Sequence, residues 1–440
     1  LQISAEPVDF AREVLPILSD KCFTCHGPDA DKDEVRLDSF EGATADLGGY
    51  FAIDVKKLAD SELIYRIHDK DDPMPPEDAE KQLNDAERAI LKRWVLEGGK
   101  YAEHWAFVVP EKAKTFKADG GIDRLILAEL NKKGHQPAPG ADRHTLARRA
   151  AFVLTGLPPE PEQLEAFLAD QSADAYNKYL TQLMQSPRYG EHQARYWLDA
   201  VRYGDTHGLH LDNKRGIYPY RDWVVRAFNS NMPFDQFIRE QLAGDMLPNP
   251  TPNQLVATGF VRMNPSTAEG GAIPAEFQAK NSFDRTEMFG TVMLGMSMTC
   301  ARCHTHKYDP ITHTDYFKML SFFNNTEEKP LDGNKYNYAP TIKVPADQKG
   351  WKNWEILNNR RDKLLAQASA LVAKESISAA DKLAMLADSK GAHAKQPIHK
   401  QAVKLAAEYA ALEKSFTTTL IAKELPERRE TKLLHRGEYD

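Results

Sequence analysis

Cysteine is scarce in this chain: there are four in 440 residues, and all four lie in two short runs. Cys22 and Cys25 are followed by His26 in KCFTCHGPD, and Cys300 and Cys303 by His304 in TCARCHTHKYDP. Nothing is left over for a separate disulfide framework. Long apolar runs are also missing. TVMLGMSM is the longest stretch of that flavour, well short of the roughly 18 residues a membrane span needs. There is no basic field either, because 57 Lys and Arg are interspersed with 64 Asp and Glu for a net charge of −7. That balance gives no sign of a nucleic-acid partner. The first residues, LQISAEPVDF, lack a start Met, a charged n-region and an apolar h-region, and they read as the mature end left after an export signal is removed.

What is there is the repeated C-x-x-C-H. A zinc ribbon places its second C-x-x-C about 15 to 20 residues after the first, whereas these two pairs stand far apart in the chain, so a four-thiolate site needs the fold to bring them together. A thioredoxin-like pair wants a preceding strand and no obligatory His, but the first pair follows FAREVLPILSDK, whose Phe10, Val14, Leu15, Ile17 and Leu18 give helical spacing. The remaining chemistry is covalent attachment of haem c, in which each thiol adds to a vinyl group and the adjacent His binds iron. The expectation is two covalently bound haem c, held by Cys22, Cys25, Cys300 and Cys303, with His26 and His304 as proximal ligands. Haem c is attached outside the cytoplasmic membrane in bacteria, so a periplasmic or otherwise exported location follows.

Length calls for more than one domain, since single cores rarely grow beyond about 250 to 300 residues. Residues 1–103 read as a small cytochrome c domain. Its last helix is signalled by Asn84 as N-cap, Glu87 three residues on, and the apolar Ile90, Leu91, Trp94 and Val95 before Gly98-Gly99. Met74, between Pro73 and Pro75-Pro76, sits on a stiff extended segment suited to presenting a thioether to iron. His68 is its competitor. Residues 104–121 read as a linker and 122–330 as a mainly helical second domain carrying the second motif. Residues 350–415 read as a helical hairpin, and 416–440 as strand-like and the start of a further region. The fold class is therefore mainly α.

PRYGEHQARYWLDAVRYGDTHGLHLDNKR is the other informative stretch. On a helix spanning 188–204, His192, Arg195, Tyr196, Asp199, Arg202 and Tyr203 share one polar and aromatic face, with Trp197, Leu198 and Val201 opposite. A solvated helix face gives the same pattern; so does a pocket wall. His306 lies too near His304 to reach the opposite haem face. The distal ligand of the second haem is then to be sought among His192, His207 and His210, with Met263 behind them, unless the iron is five-coordinate.

VLPILSDKCFTCHGPD, DDPMPP and HWAF resemble the planctomycete-type cytochrome c domain PSCyt1. RYGEHQARYWLDAVRYGDTHGLHLDN, YRDWVVRAFNSNMPFDQFIREQLAGDMLPNPT and TCARCHTHKYDPI are similar to PSCyt2 (DUF1549), and RRETKLLHRGEYD resembles the start of PSD1 (DUF1553). The resemblance implies a secreted cytochrome c protein of Planctomycetes, Verrucomicrobia and relatives, often encoded beside sulfatases and polysaccharide-degrading enzymes. It does not imply a particular reaction. PSCyt2 commonly has Asp after the first His of its CHDHK run, where this chain has Thr305, so no role for that Asp carries over. His192 and Asp199 match the family pattern, whereas His207 and His210 occur in only some members, which favours His192 as the distal ligand.

The leading expectation is an electron-carrying dihaem cytochrome, with a redox partner protein and a sugar-linked oxidoreductase system around it. Its Met-ligated haem would be the higher-potential centre. A haem enzyme, peroxidase-like or carbohydrate-oxidising, is the alternative, with Asp199, Arg202 and His207 as catalytic candidates. A carbohydrate-binding scaffold with structural haems is the third reading.

Overall fold

The computed structural model describes residues 7–29, 35–103, 106–111, 121–209, 211–372 and 377–439. His210 and most of the expected linker lie outside the described residues. The described chain is mainly α, with a two-stranded sheet. It divides into two compact units, Leu1–Gly140 with Met296–Lys318 and Leu433–Glu438, and Ala141–Gly295 with Met319–Lys432 and Tyr439–Asp440. Residues 296–318, which carry the second motif, thus group with the first unit, although the sequence reading assigned them to the second domain.

In the first unit a π-helical turn, Phe10–Val14, leads into α1 (Leu15–Lys21) and the one-turn α2 (Phe23–His26). Short α3 (Phe40–Ala43) and α4 (Glu62–Arg66) follow. Helix α5 (Asp85–Leu96) begins with the expected capping box: Asn84 Oδ1 accepts from the Glu87 amide at 3.0 Å, and Glu87 Oε2 accepts from the Asn84 amide at 2.8 Å. It ends where Gly98 takes a left-handed φ of 112°, which lets the Gly99 amide reach back to the Trp94 carbonyl at 3.0 Å. The face of α5 made by Leu91, Trp94 and Val95 is buried against Phe10, Val14, Leu18 and Ile53. Trp94 is fixed twice over, by Nε1 donating to the Lys100 carbonyl at 2.9 Å and by an edge contact to Tyr101 at 5.3 Å. Each such side chain removed from water contributes about 1.5–3 kcal/mol. Helix α6 (Gly121–Lys132) has no buried residue.

In the second unit, α7 (Arg143–Thr155), α8 (Pro161–Ala169) and α9 (Ala175–Gln185) enclose Ala147, Ala151, Phe167, Tyr179 and Leu183. Helix α10 (Pro187–Ala200) then crosses α11 (Tyr218–Asn229) at Gly190, where a Cβ would lie 2.5 Å from the Val225 carbonyl oxygen. Only glycine permits that approach. Helices α12 (Phe234–Ala243), α13 (Pro252–Ala257) and α14 (Pro274–Phe289) complete the main core around Tyr220, Trp223, Phe237 and Phe260. Helix α15 (His313–Phe323) follows the second motif.

Strands β1 (Thr341–Pro345) and β2 (Phe416–Leu420) pair antiparallel, Thr341 opposite Leu420. Between them stand α16 (Gln348–Gln367), the one-turn α17 (Ser369–Val372), α18 (Ala379–Ala387) and α19 (His399–Glu413). The expected hairpin is therefore a helical cluster in which α16, α18 and α19 share Leu364, Leu383, Leu386 and Leu405. The reason is local: Ser378 caps α18, its Oγ accepting from the Asp381 amide at 3.1 Å, and this starts a separate helix inside the presumed turn.

Candidate haem-binding site

Both C-x-x-C-H runs adopt the same hydrogen-bonded turn. In the first, the Cys22 carbonyl accepts from the amides of Cys25 at 3.2 Å and His26 at 2.8 Å; in the second, the Cys300 carbonyl accepts from those of Cys303 at 3.2 Å and His304 at 3.4 Å. In each turn the second Cys and the His follow the first Cys by three and four residues. The first turn is built because α1 stops at Cys22, whose amide bonds to Leu18. All four thiols are free, and Cys25, Cys300 and Cys303 are exposed. Cys22 is half-buried, and burial, with smaller contributions from Cys25 and Glu87, pushes its thiol up to about 12. Among the described residues no three His, Cys, Asp or Glu side chains converge to hold a bare metal ion.

His26 bonds through Nδ1 to the Val35 carbonyl at 2.9 Å. That contact fixes the tautomer and leaves Nε2 for iron, as metal-ligating histidines require. His304 bonds through Nδ1 to the carbonyl of its neighbour Thr305 at 2.7 Å, likewise leaving Nε2.

A cavity of about 1840 Å³ opens within the first unit. Sites for single small molecules commonly occupy about 300–1,000 Å³, so this one has room for a macrocycle and more. Its wall includes Cys22, Cys25, His26 and Met74, with Phe23, Leu37, Phe51, Leu63 and Ile67 as apolar lining. Met74 is held by its amide, which bonds to the Arg66 carbonyl at 2.9 Å. His68 is exposed, its Nδ1 on the Ile64 carbonyl at 2.9 Å. Two thiols, an imidazole with Nδ1 committed, a thioether and an apolar wall are a donor set and a cavity that fit haem c.

The segment His304–Thr312 lines this same cavity, and polar contacts fasten it there. Asp29, three residues beyond His26, accepts from the Thr305 hydroxyl at 2.6 Å and from its amide at 3.0 Å. Asp20 accepts from Lys307 Nζ at 2.8 Å and Lys81 Nζ at 2.6 Å, and the Ser19 hydroxyl donates to the Lys307 carbonyl at 2.9 Å. Hydrogen bonds from Lys307 and Lys81 hold the Asp20 carboxyl at about 2. On its other flank the second motif carries the Cys303 thiol, which donates to the Arg436 carbonyl at 3.1 Å. Sequence reasoning missed Asp20 and Asp29; only their closeness in sequence to the first motif could have flagged them.

The residues expected around the second haem lie in the second unit. Helix α10 stops at Ala200 rather than 204, which corrects the polar stripe. The Tyr203 amide bonds to the Leu198 carbonyl at 2.8 Å and the Arg202 amide to that of Asp199 at 3.0 Å, with Arg202 left-handed at φ 60°. This is a Schellman stop with arginine where glycine is usual. Arg202 then turns to pair with both oxygens of Asp284, while Asp199 is exposed. His192 is half-buried, its Nδ1 only 2.3 Å from where a Cβ on Gly156 would fall. Burial, with Arg195 nearby, lowers its proton affinity. His207 is buried, and its Nε2 accepts from the Asn213 amide at 2.9 Å. Met263 belongs to the apolar core.

A buried ionic cluster in this unit was not foreseen. Arg285, 1 % exposed, pairs with Glu328 and gives Nε and Nη2 to Asn264 Oδ1 at 3.0 and 2.9 Å. Arg262, also 1 % exposed, donates to the carbonyls of Ile421 at 2.6 Å and Pro340 at 3.3 Å, which ties the sheet ends to the helical core.

Residues 22–78 match the family described as Planctomycete cytochrome C (PSCyt1), a stretch that opens at Cys22 and includes His26 and Met74. Residues 121–328 match PSCyt2, described as a protein of unknown function (DUF1549). No curated protein and no solved structure matches the chain. The helices described here contain none long and apolar enough to cross a membrane. The chain thus carries a planctomycete-type cytochrome c domain (PSCyt1) followed by a PSCyt2 domain, and that cytochrome c domain marks it as a c-type cytochrome with covalently bound haem c.

Proposed function

We propose that the chain is an exported dihaem c-type cytochrome that carries electrons within an oxidoreductase system linked to polysaccharide or sugar metabolism. The observation that carries the dihaem reading is the repeated turn, in which the carbonyl of the first Cys accepts from the amides of the second Cys and the His at both motifs. Haem, when bound, supplies the one-electron couple; the chain attaches it, orients the imidazoles and sets its surroundings. In this reading Met74 would supply a further iron ligand at the first motif, because it shares a cavity wall with His26 while His68 faces solvent. A thioether ligand raises the potential. Among the histidines expected as a further iron ligand, His207 has Nε2 committed to a backbone amide, which leaves His192 as the candidate that the family resemblance favours. Export agrees with where haem c is attached, and the sugar link rests on the family resemblance.

An optical redox titration of the whole protein, with and without candidate sugars, tests the electron-carrying reading. Two reversible one-electron waves are expected, and redox-silent haems would overturn it. His192→Ala should convert one haem from low spin to high spin; an unchanged spectrum would remove His192 as ligand.

A further inference from the structure

The segment that follows the second proximal histidine is not loosely placed. Thr305, next after His304, offers both its amide and its hydroxyl to Asp29, and Asp29 stands three residues after His26. Two positions further on, Lys307 reaches Asp20, while its carbonyl takes the Ser19 hydroxyl. Ser19 and Asp20 belong to the last turn of α1, just before Cys22. The contacts from His304–Lys307 therefore fall on residues flanking the first motif on either side, and the segment between them lines the cavity that holds Cys22, Cys25 and His26.

The chemistry of these contacts is that of alignment. Asp29 is exposed and Thr305 half-buried, so their hydrogen bonds compete with water and add little to folding. What a bidentate acceptor does well is fix direction, because an amide and a hydroxyl on one residue meet two oxygens of one carboxylate. Such an arrangement at the neighbour of a haem ligand sets where that ligand points.

We propose that Asp29 and Asp20 are positioning residues that hold the second haem-attachment segment on the first, so that the two haems form one interacting pair rather than two independent centres. This rests on the dihaem reading. It goes beyond it, since two haems on one chain can equally well ignore each other. An interacting pair shows itself in the oxidised protein as a two-signed band in Soret circular dichroism.

The test uses the full chain with haem attached, counting haems per chain by alkaline pyridine spectrum and recording Soret circular dichroism for wild type, Thr305→Val, Thr305→Ser, Asp29→Asn and Lys307→Gln. The expected result is a two-signed band in wild type that is lost in Thr305→Val, weakened in Asp29→Asn and Lys307→Gln, and kept in Thr305→Ser, with the haem count unchanged throughout. Loss of helical signal is not expected in any variant, so far-ultraviolet spectra separate repositioning from misfolding. Two haems with a single-signed wild-type band would overturn this inference alone, as would a two-signed band indifferent to Thr305→Val. One haem per chain would overturn the dihaem reading, and this inference with it.

Discussion

His26 directs its Nδ1 at the carbonyl oxygen of Val35, 2.9 Å away. One hydrogen bond thereby decides which ring nitrogen stays free, on a ring that shares a cavity wall with Met74 and that is proposed above to bind iron. A thioether stabilises ferrous over ferric iron. Met74→Ala should therefore lower the midpoint potential of the haem at the first motif by much more than it shifts that of the other. His68→Ala should change neither, because that imidazole is exposed and turned back on the Ile64 carbonyl. Potentiometry of the two variants checks this, and the reverse pattern would make His68 the ligand.

Asp20 gives a pH signature. Lys307 and Lys81 hold its carboxyl down at about 2, against an ordinary value of 3.8. A lowered carboxylate stabilises the folded state fully above its unfolded value, and the contribution disappears as pH falls through the folded one. Asp20→Asn should thus be less stable than wild type at pH 6, with the difference shrinking between about pH 4 and pH 2. Thermal melts across that range read it out. A difference that grows toward low pH would contradict the assignment.

The buried pair Arg285–Glu328 should be the most sensitive point of the second unit. Burial pushes the Glu328 carboxyl up, but Arg285 and Arg262 outweigh it, so the group sits below its ordinary range and stays charged. Arg285→Met leaves that charge without its main partner in a site 6 % exposed. Breaking a buried pair in this way costs about 3–5 kcal/mol. Denaturant unfolding should show a loss of that size, and a loss below about 1 kcal/mol would mean that the pair is not held as described.

How much of this was legible in the sequence follows the range of each interaction. The C-x-x-C-H turns and the Asn84–Glu87 cap span only three or four residues, so pattern alone specifies them. The mainly α class follows from periodicity in the same way. The end of α10 was misread because hydrophobic and polar spacing continues through Arg202 and Tyr203, while the actual stop depends on a left-handed residue that is not glycine. The cluster of Arg262, Arg285 and Glu328 joins residues from separate elements, and its charged side chains look like surface until the fold buries them. Asp29 and Thr305 are further apart still, 276 residues. No local rule connects an acid after one motif with a hydroxyl after the other.

Whether both motifs carry haem decides the dihaem proposal. Its most direct test is the intact mass of the mature, denatured protein, with peptide mapping of residues 22–26 and 300–304. The mass should exceed that of the polypeptide by two haem groups, one on the Cys22/Cys25 peptide and one on the Cys300/Cys303 peptide. A single haem, with Cys300 and Cys303 recovered as free thiols or bound to zinc, would contradict it.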